Sequence, residues 1–106
     1  MIFVSGMIGW DSSGKFPARD FVGQARQALK NIAEVLAAAK AKPAHVVRIT
    51  WYILDKKEYL AASKQLGTVY REFFGRHYPA MTAVQVAALI EDQARLEIEV
   101  TAVVPG

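Results

Sequence analysis

At 106 residues the chain has material for one domain, 1–106, built around one core. Its 13 basic and 10 acidic side chains leave a net charge of +3, and the densest basic cluster (Lys40, Lys42, His45, Arg48) is too short and mixed for a nucleic-acid patch, so no nucleic-acid partner is expected. With no cysteine, no apolar run of the roughly 18 residues a membrane span needs, no secretory pattern at the start and no metal-ligand spacing around His45 or His77, the expectation is a cytoplasmic, metal-free protein without a membrane partner.

Met1 to Ser5 is a short apolar, strand-like run, and Gly6 and Gly9 break its continuation with a bend or bulge. Asp11-Ser12-Ser13-Gly14-Lys15 has turn chemistry: short side chains that bond their own backbone, and a glycine able to take positive φ. Asp20 is placed to cap a first helix, because its carboxylate can accept from the unpaired N–H groups of the first turn. Val22, Ala25, Leu29, Ile32 and Leu36 follow at spacings of three and four, a buried stripe opposite Arg26, Gln27, Lys30, Asn31 and Glu34. Pro43 marks the exit.

Residues 46–54 are rich in β-branched and aromatic types. Alternation predicts a strand with Val47, Ile49, Trp51 and Ile53 on one side and Arg48, Thr50 and Tyr52 on the other. Asp55-Lys56-Lys57 turns into a second helix over 58–75, with Ala62, Leu66, Val69 and Phe73 facing inward. Gly67 inside it costs about 1 kcal/mol relative to Ala, which implies a close approach there. After the connector His77-Tyr78-Pro79, residues 81–88 read as a strand and 90–93 as a turn. The last strand spans 95–104, where Leu96, Ile98, Val100, Ala102 and Val104 alternate with Arg95, Glu97, Glu99 and Thr101. The order β(β)αβαββ predicts an α+β two-layer sandwich, a mixed sheet with two helices packed on one face. At 53% apolar residues, the chain holds more than so small a core can hide, which predicts a homo-oligomeric interface.

Several segments carry a resemblance in combination: Ile2-Phe3-Val4-Ser5-Gly6, then 24–32 (Gln24 to Ile32) on the first helix, then Asp55 after the central strand. Tyr70-Arg71-Glu72-Phe73-Phe74, Tyr78-Pro79-Ala80 and Leu96-Glu97-Ile98-Glu99 complete the set. In this order, over nearly the whole chain, they resemble the Rid family, the reactive-intermediate deaminases also called YjgF or L-PSP endoribonuclease proteins. The resemblance implies a chorismate-mutase-like fold, assembled as a homotrimer with clefts between subunits and no cofactor. It implies hydrolysis of a small imine or enamine to a carbonyl compound and ammonia. The imine carbon is already electrophilic, so the protein has only to position water and manage protons. Glu97 stands where the family has its catalytic carboxyl group, and Ser5 and Gly6 match residues that line the cleft. Without the resemblance, Glu97 and Glu99 read as a solvated polar face paired with Arg95.

Met81 departs from the pattern. It occupies the place of an arginine that grips the substrate carboxylate through two parallel hydrogen bonds, which a thioether cannot do. With Ala83 on its side, Met81 is expected to line the substrate-binding cleft. Three consequences are open: the substrate lacks a carboxylate, another cation such as Arg48, Arg71 or Arg95 supplies the charge, or deaminase activity is lost, which leaves a non-catalytic small-molecule-binding trimer of the same fold. A ribonuclease reading has neither a basic groove nor a nucleolytic constellation behind it. The family also carries a strand ahead of Ile2, so Met1 is read either as an internal methionine or as the start of a naturally short protein.

Overall fold

The computed structural model describes residues 1–105. The elements run β1 (Ile2–Met7), α1 (Phe21–Ala38), β2 (Val46–Ile53), α2 (Lys56–Ala61), α3 (Ser63–Phe74), β3 (Ala80–Gln85) and β4 (Leu96–Ala102), with one 3-10 turn at Pro43–His45. The sheet order is β1-β4-β2-β3. Strand β4 lies antiparallel to both neighbours, whereas β2 and β3 are parallel and joined through the helices α2 and α3. Helices cover one face only, so the expected α+β two-layer sandwich is what forms.

Local chemistry sets the element boundaries. Asp20 sits in extended backbone at φ −79° and ψ 156°, and its carboxylate accepts from Gly23 N–H at 2.9 Å, starting α1. Ala25, Ala28, Leu29, Ile32 and Leu36 are sealed from solvent against the sheet, while Val22 is half-buried. In β4 the inward set Leu96, Ile98, Val100 and Ala102 is buried and the alternate residues are half-buried. An ion pair between Arg26 and Glu72 ties α1 to α3 across the helical layer.

Three expectations change. The second helix is two helices, because Asp55 is an N-cap, accepting from Lys57 N–H at 2.9 Å. That starts α2 two residues early, and the helical ladder breaks at Ala62 (φ −94°, ψ 4°). The restart turns α3, so that Leu66, Val69, Tyr70 and Phe74 are buried and Phe73 only half-buried. Second, β2 carries a bulge: between Val46 and Arg48 it advances two residues while β4 advances one, from Ala102 to Thr101. Val46 thereby enters the core and Val47 is exposed. Third, β3 ends at Gln85 and β4 at Ala102, leaving Val104 exposed beyond the sheet. The interruption expected at Gly6 is a second bulge, three residues of β1 from Val4 to Met7 opposing two of β4.

Gln24 is the buried polar side chain of the core. Its Oε1 accepts from Arg95 N–H at 2.8 Å, and its Nε2 donates to the carbonyls of Gln93 at 2.9 Å and Ala18 at 3.3 Å. The amide thus clamps α1 to the entrance of β4, two residues before Glu97. Gly9 packs directly on it: a β-carbon there would fall 2.9 Å from the Gln24 Cα. Gln24→Ala removes the partner of the Arg95 N–H and of the Gln93 and Ala18 carbonyls, in part-buried bonds. It is expected to lower the unfolding free energy by about 2–4 kcal/mol, seen as a lower urea midpoint at unchanged slope.

Candidate active site

Strand alternation deals the candidate residues to the two faces of the sheet. On the face away from the helices, Glu97 and Glu99 project from β4 beside Tyr52 of β2, in register with Glu97. Together with Val86 and the fully exposed Ile90 they border an open cleft of about 280 Å³. The Tyr52 hydroxyl donates to Glu99 Oε1 at 2.6 Å, and that bond, helped by burial, raises the phenol above its ordinary pKa. Arg95 does not join this face as a counter-ion. It clasps Glu58 of α2 with both ends of its fork, at 2.6 and 2.9 Å.

Glu97 is held differently from Glu99. The β1 bulge brings Gly6 under its carboxylate, so closely that a β-carbon on Gly6 would lie 2.6 Å from Glu97 Cδ. Ser5 is exposed immediately alongside. Ser5, Gly6 and Glu97 are thus brought together, on one face and at the β1–β4 seam. The result is a half-buried carboxylate open to water, beside a glycine and a tyrosine.

Met81 and Ala83 are elsewhere. In the parallel register they lie beside Ile49 and Trp51, which turns both toward the helical layer. Met81 walls a cavity of about 210 Å³ with Trp51, Tyr59, Leu66, Tyr70 and Tyr78. Ala83 shares that face without lining the cavity. One chain therefore holds the expected site as two halves on opposite faces of its sheet. The aromatic cavity was not visible in the sequence, where these residues carry only core periodicity. The missing information was the β2–β3 register, which decides the face Met81 takes.

The cavity's polar atoms are few. Tyr70 is sandwiched between Phe74 and Tyr78, with ring centroids 4.8 and 5.5 Å away. Its hydroxyl donates to the His77 carbonyl at 2.6 Å, and burial, with Tyr78 nearby, pushes its pKa up to about 12. Trp51 Nε1 is buried without a partner. Among the described residues no cluster of His, Asp and Glu could hold a metal.

A one-sided mixed sheet of this topology, with a carboxylate on the open face and a cavity behind the edge strand, defines a class of small α+β proteins. The family model described as Endoribonuclease L-PSP matches residues 1–104. The human 2-iminobutanoate/2-iminopropanoate deaminase is 37% identical over 103 residues, 96% of this chain and 72% of that protein. Its Capra hircus counterpart is 39% identical over the same span. Among solved structures, YyfB of the conserved Rid protein family from Yersinia pestis superposes with a TM-score of 0.85 at 30% identity, covering 97% of this chain and 77% of that one. Escherichia coli TdcF with bound serine gives a TM-score of 0.81 at 36% identity, covering 97% and 80%. The chain belongs to this family, the Rid or L-PSP proteins, which includes imine deaminases.

Two outcomes follow from the geometry. Gly6→Ala pushes on the flexible end of Glu97 rather than on backbone, so stability should stay within about 1 kcal/mol of wild type. The Glu97 carboxylate should swing off the seam, seen as a new rotamer in a crystal structure of the variant. For Tyr70, the unfolded phenol ionises near 10.0 and the folded one near 12. Its contribution to stability is complete below pH 10 and is lost as the pH climbs toward 12, since unfolding releases a proton in that window. Tyr70→Phe should flatten this part of a stability-against-pH curve measured by urea unfolding.

Proposed function

We propose that this protein is an imine or enamine deaminase whose reaction takes place in clefts between the subunits of a homotrimer. The observation that carries the reading is the division of the site. Glu97, Ser5 and Gly6 lie on one face of the sheet, and Met81 and Ala83 on the other. A small molecule can be enclosed by both halves only if they come from different copies. Surface for such packing is present: Phe3 is 74% exposed and Val84 41% exposed, and β3 is a bare edge strand. The copy number of three rests on the family resemblance, and the reaction on the names of the relatives.

The chemistry asks little of the protein. Water held by Glu97 adds its oxygen to the imine carbon and gives one proton to the carboxylate. Glu97 returns that proton to nitrogen, giving a carbinolamine; the hydroxyl proton then passes through the carboxylate to nitrogen as the carbonyl forms and the carbon–nitrogen bond breaks, and ammonia leaves a carbonyl compound behind. A half-buried carboxylate without an arginine partner, over a glycine that leaves it room, is suited to holding that water. No cofactor is required for any of these steps.

Glu97→Gln should lower the rate of ammonia release from freshly generated imines by about 10²–10⁴-fold. The sedimentation mass should remain that of three 11.7 kDa chains. Equal rates for the two proteins would overturn the reading. Ligand-dependent stabilisation without product would replace it with a non-catalytic binding trimer.

A further inference from the structure

The cavity beside Met81 is apolar on nearly every side, and among its walls the buried Trp51 indole N–H has no partner. Trp51 packs edge-on against Tyr59, with centroids 6.2 Å apart, and the Tyr70 hydroxyl is committed to His77. Such a space suits a branched or flat hydrocarbon group. The relatives named as deaminases act on 2-iminobutanoate and 2-iminopropanoate, both carboxylates, and Met81 offers a carboxylate nothing.

A cation stands close to one wall of the cavity all the same. Arg95 is engaged by Glu58 and Arg26 by Glu72, and Arg48 lies across the sheet in a cleft with Phe3, Thr50 and Glu99. Arg71 is on α3, where side chains lean back toward the preceding turn. Four residues back is Gly67, which lines the cavity. The Arg71 Nη1 lies 3.2 Å from where a β-carbon on Gly67 would be. With no side chain on Gly67, at a cost inside a helix, the guanidinium lies close over this turn, next to a residue of the cavity wall. No ion pair holds Arg71 among the described residues.

We propose that Arg71 is the carboxylate-binding residue of this protein, and that the cavity takes the apolar side chain of a branched or aromatic 2-imino acid. In this arrangement the carboxylate is met from the facing helix rather than from the edge strand, with Gly67 and Met81 leaving room for it. The proposal rests on the deaminase reading for the imino group and deepens it by naming the substrate class.

The test separates binding from turnover. Titration calorimetry of the intact oligomer with 4-methyl-2-oxopentanoate, an oxo acid of the kind such hydrolysis yields, is compared with the neutral 4-methyl-2-pentanone. Wild type should bind the oxo acid more tightly than the ketone. Arg71→Ala should weaken the oxo acid by about tenfold or more and leave the ketone unchanged, with Arg71→Lys between the two. Arg71 is exposed, and an unchanged urea midpoint confirms that the variants fold. Equal affinity of wild type for acid and ketone, or of Arg71→Ala and wild type for the acid, overturns the proposal. Arg71-dependent binding with no ammonia released from the matching imine would leave this assignment standing and remove the deaminase reading. Ammonia release with a KM for carboxylate-bearing imines unmoved by Arg71→Ala would do the reverse.

Discussion

Everything in this molecule depends on a sheet that is covered on one side only. Helices α1 and α3 bury the inward residues of β4 and β2, and among the described residues no helix covers the other face. A strand's two-residue period then leaves no freedom: once Leu96, Ile98 and Val100 are inside, Glu97 and Glu99 must be outside. The same rule, carried through the parallel pair, sends Met81 inward with Ile49. Hydrophobic sorting thus places the carboxylate and the apolar pocket wall before any functional demand is considered. The Gln24 clamp fixes the remaining variable, the height at which β4 enters the sheet beneath α1.

Position 81 shows how such a scaffold tolerates change. Met81 is on an edge strand and 43% exposed, so exchanging its side chain disturbs no sealed core. What an exchange alters is the character of the cavity behind it. With a thioether at its mouth and tyrosines around it, that cavity has become a place for hydrocarbon, and any anionic end of a ligand must be met from elsewhere. The open face keeps its chemistry regardless, because Glu97 is set by the β1 bulge and β4 is not paired with β3.

Much of this was legible in the residues. The Asp20 cap, the stripe from Ala25 to Leu36 and the alternation of β4 are local signals, each decided by hydrogen bonding or periodicity within one element, and they hold in the structure. The segments that misled are those where a neighbour overrules the local pattern. Val47 looks core-facing until a bulge opposite Ala102 and Thr101 shifts the phase of the strand. The break at Ala62 has no proline or glycine to announce it, and Asp55 reads equally well as a turn residue or a cap. For the site, the outward face of Glu97 was legible from the alternation of its strand. Its approach to Gly6 was not, since that depends on the bulge, and neither was the position of Arg71 over Gly67.

Strand order has one more consequence, in time rather than space. Of the four strands, β4 is the last to be synthesised, yet it lies between β1 and β2. While a ribosome is still making the chain, the first strand has no partner and the β2–β3 pair no antiparallel neighbour. The nascent protein must hold its apolar helix faces and unpaired backbone in suspension until residues 96–102 emerge and fill the gap. Folding of this domain is therefore completed only when its last strand slots into the middle.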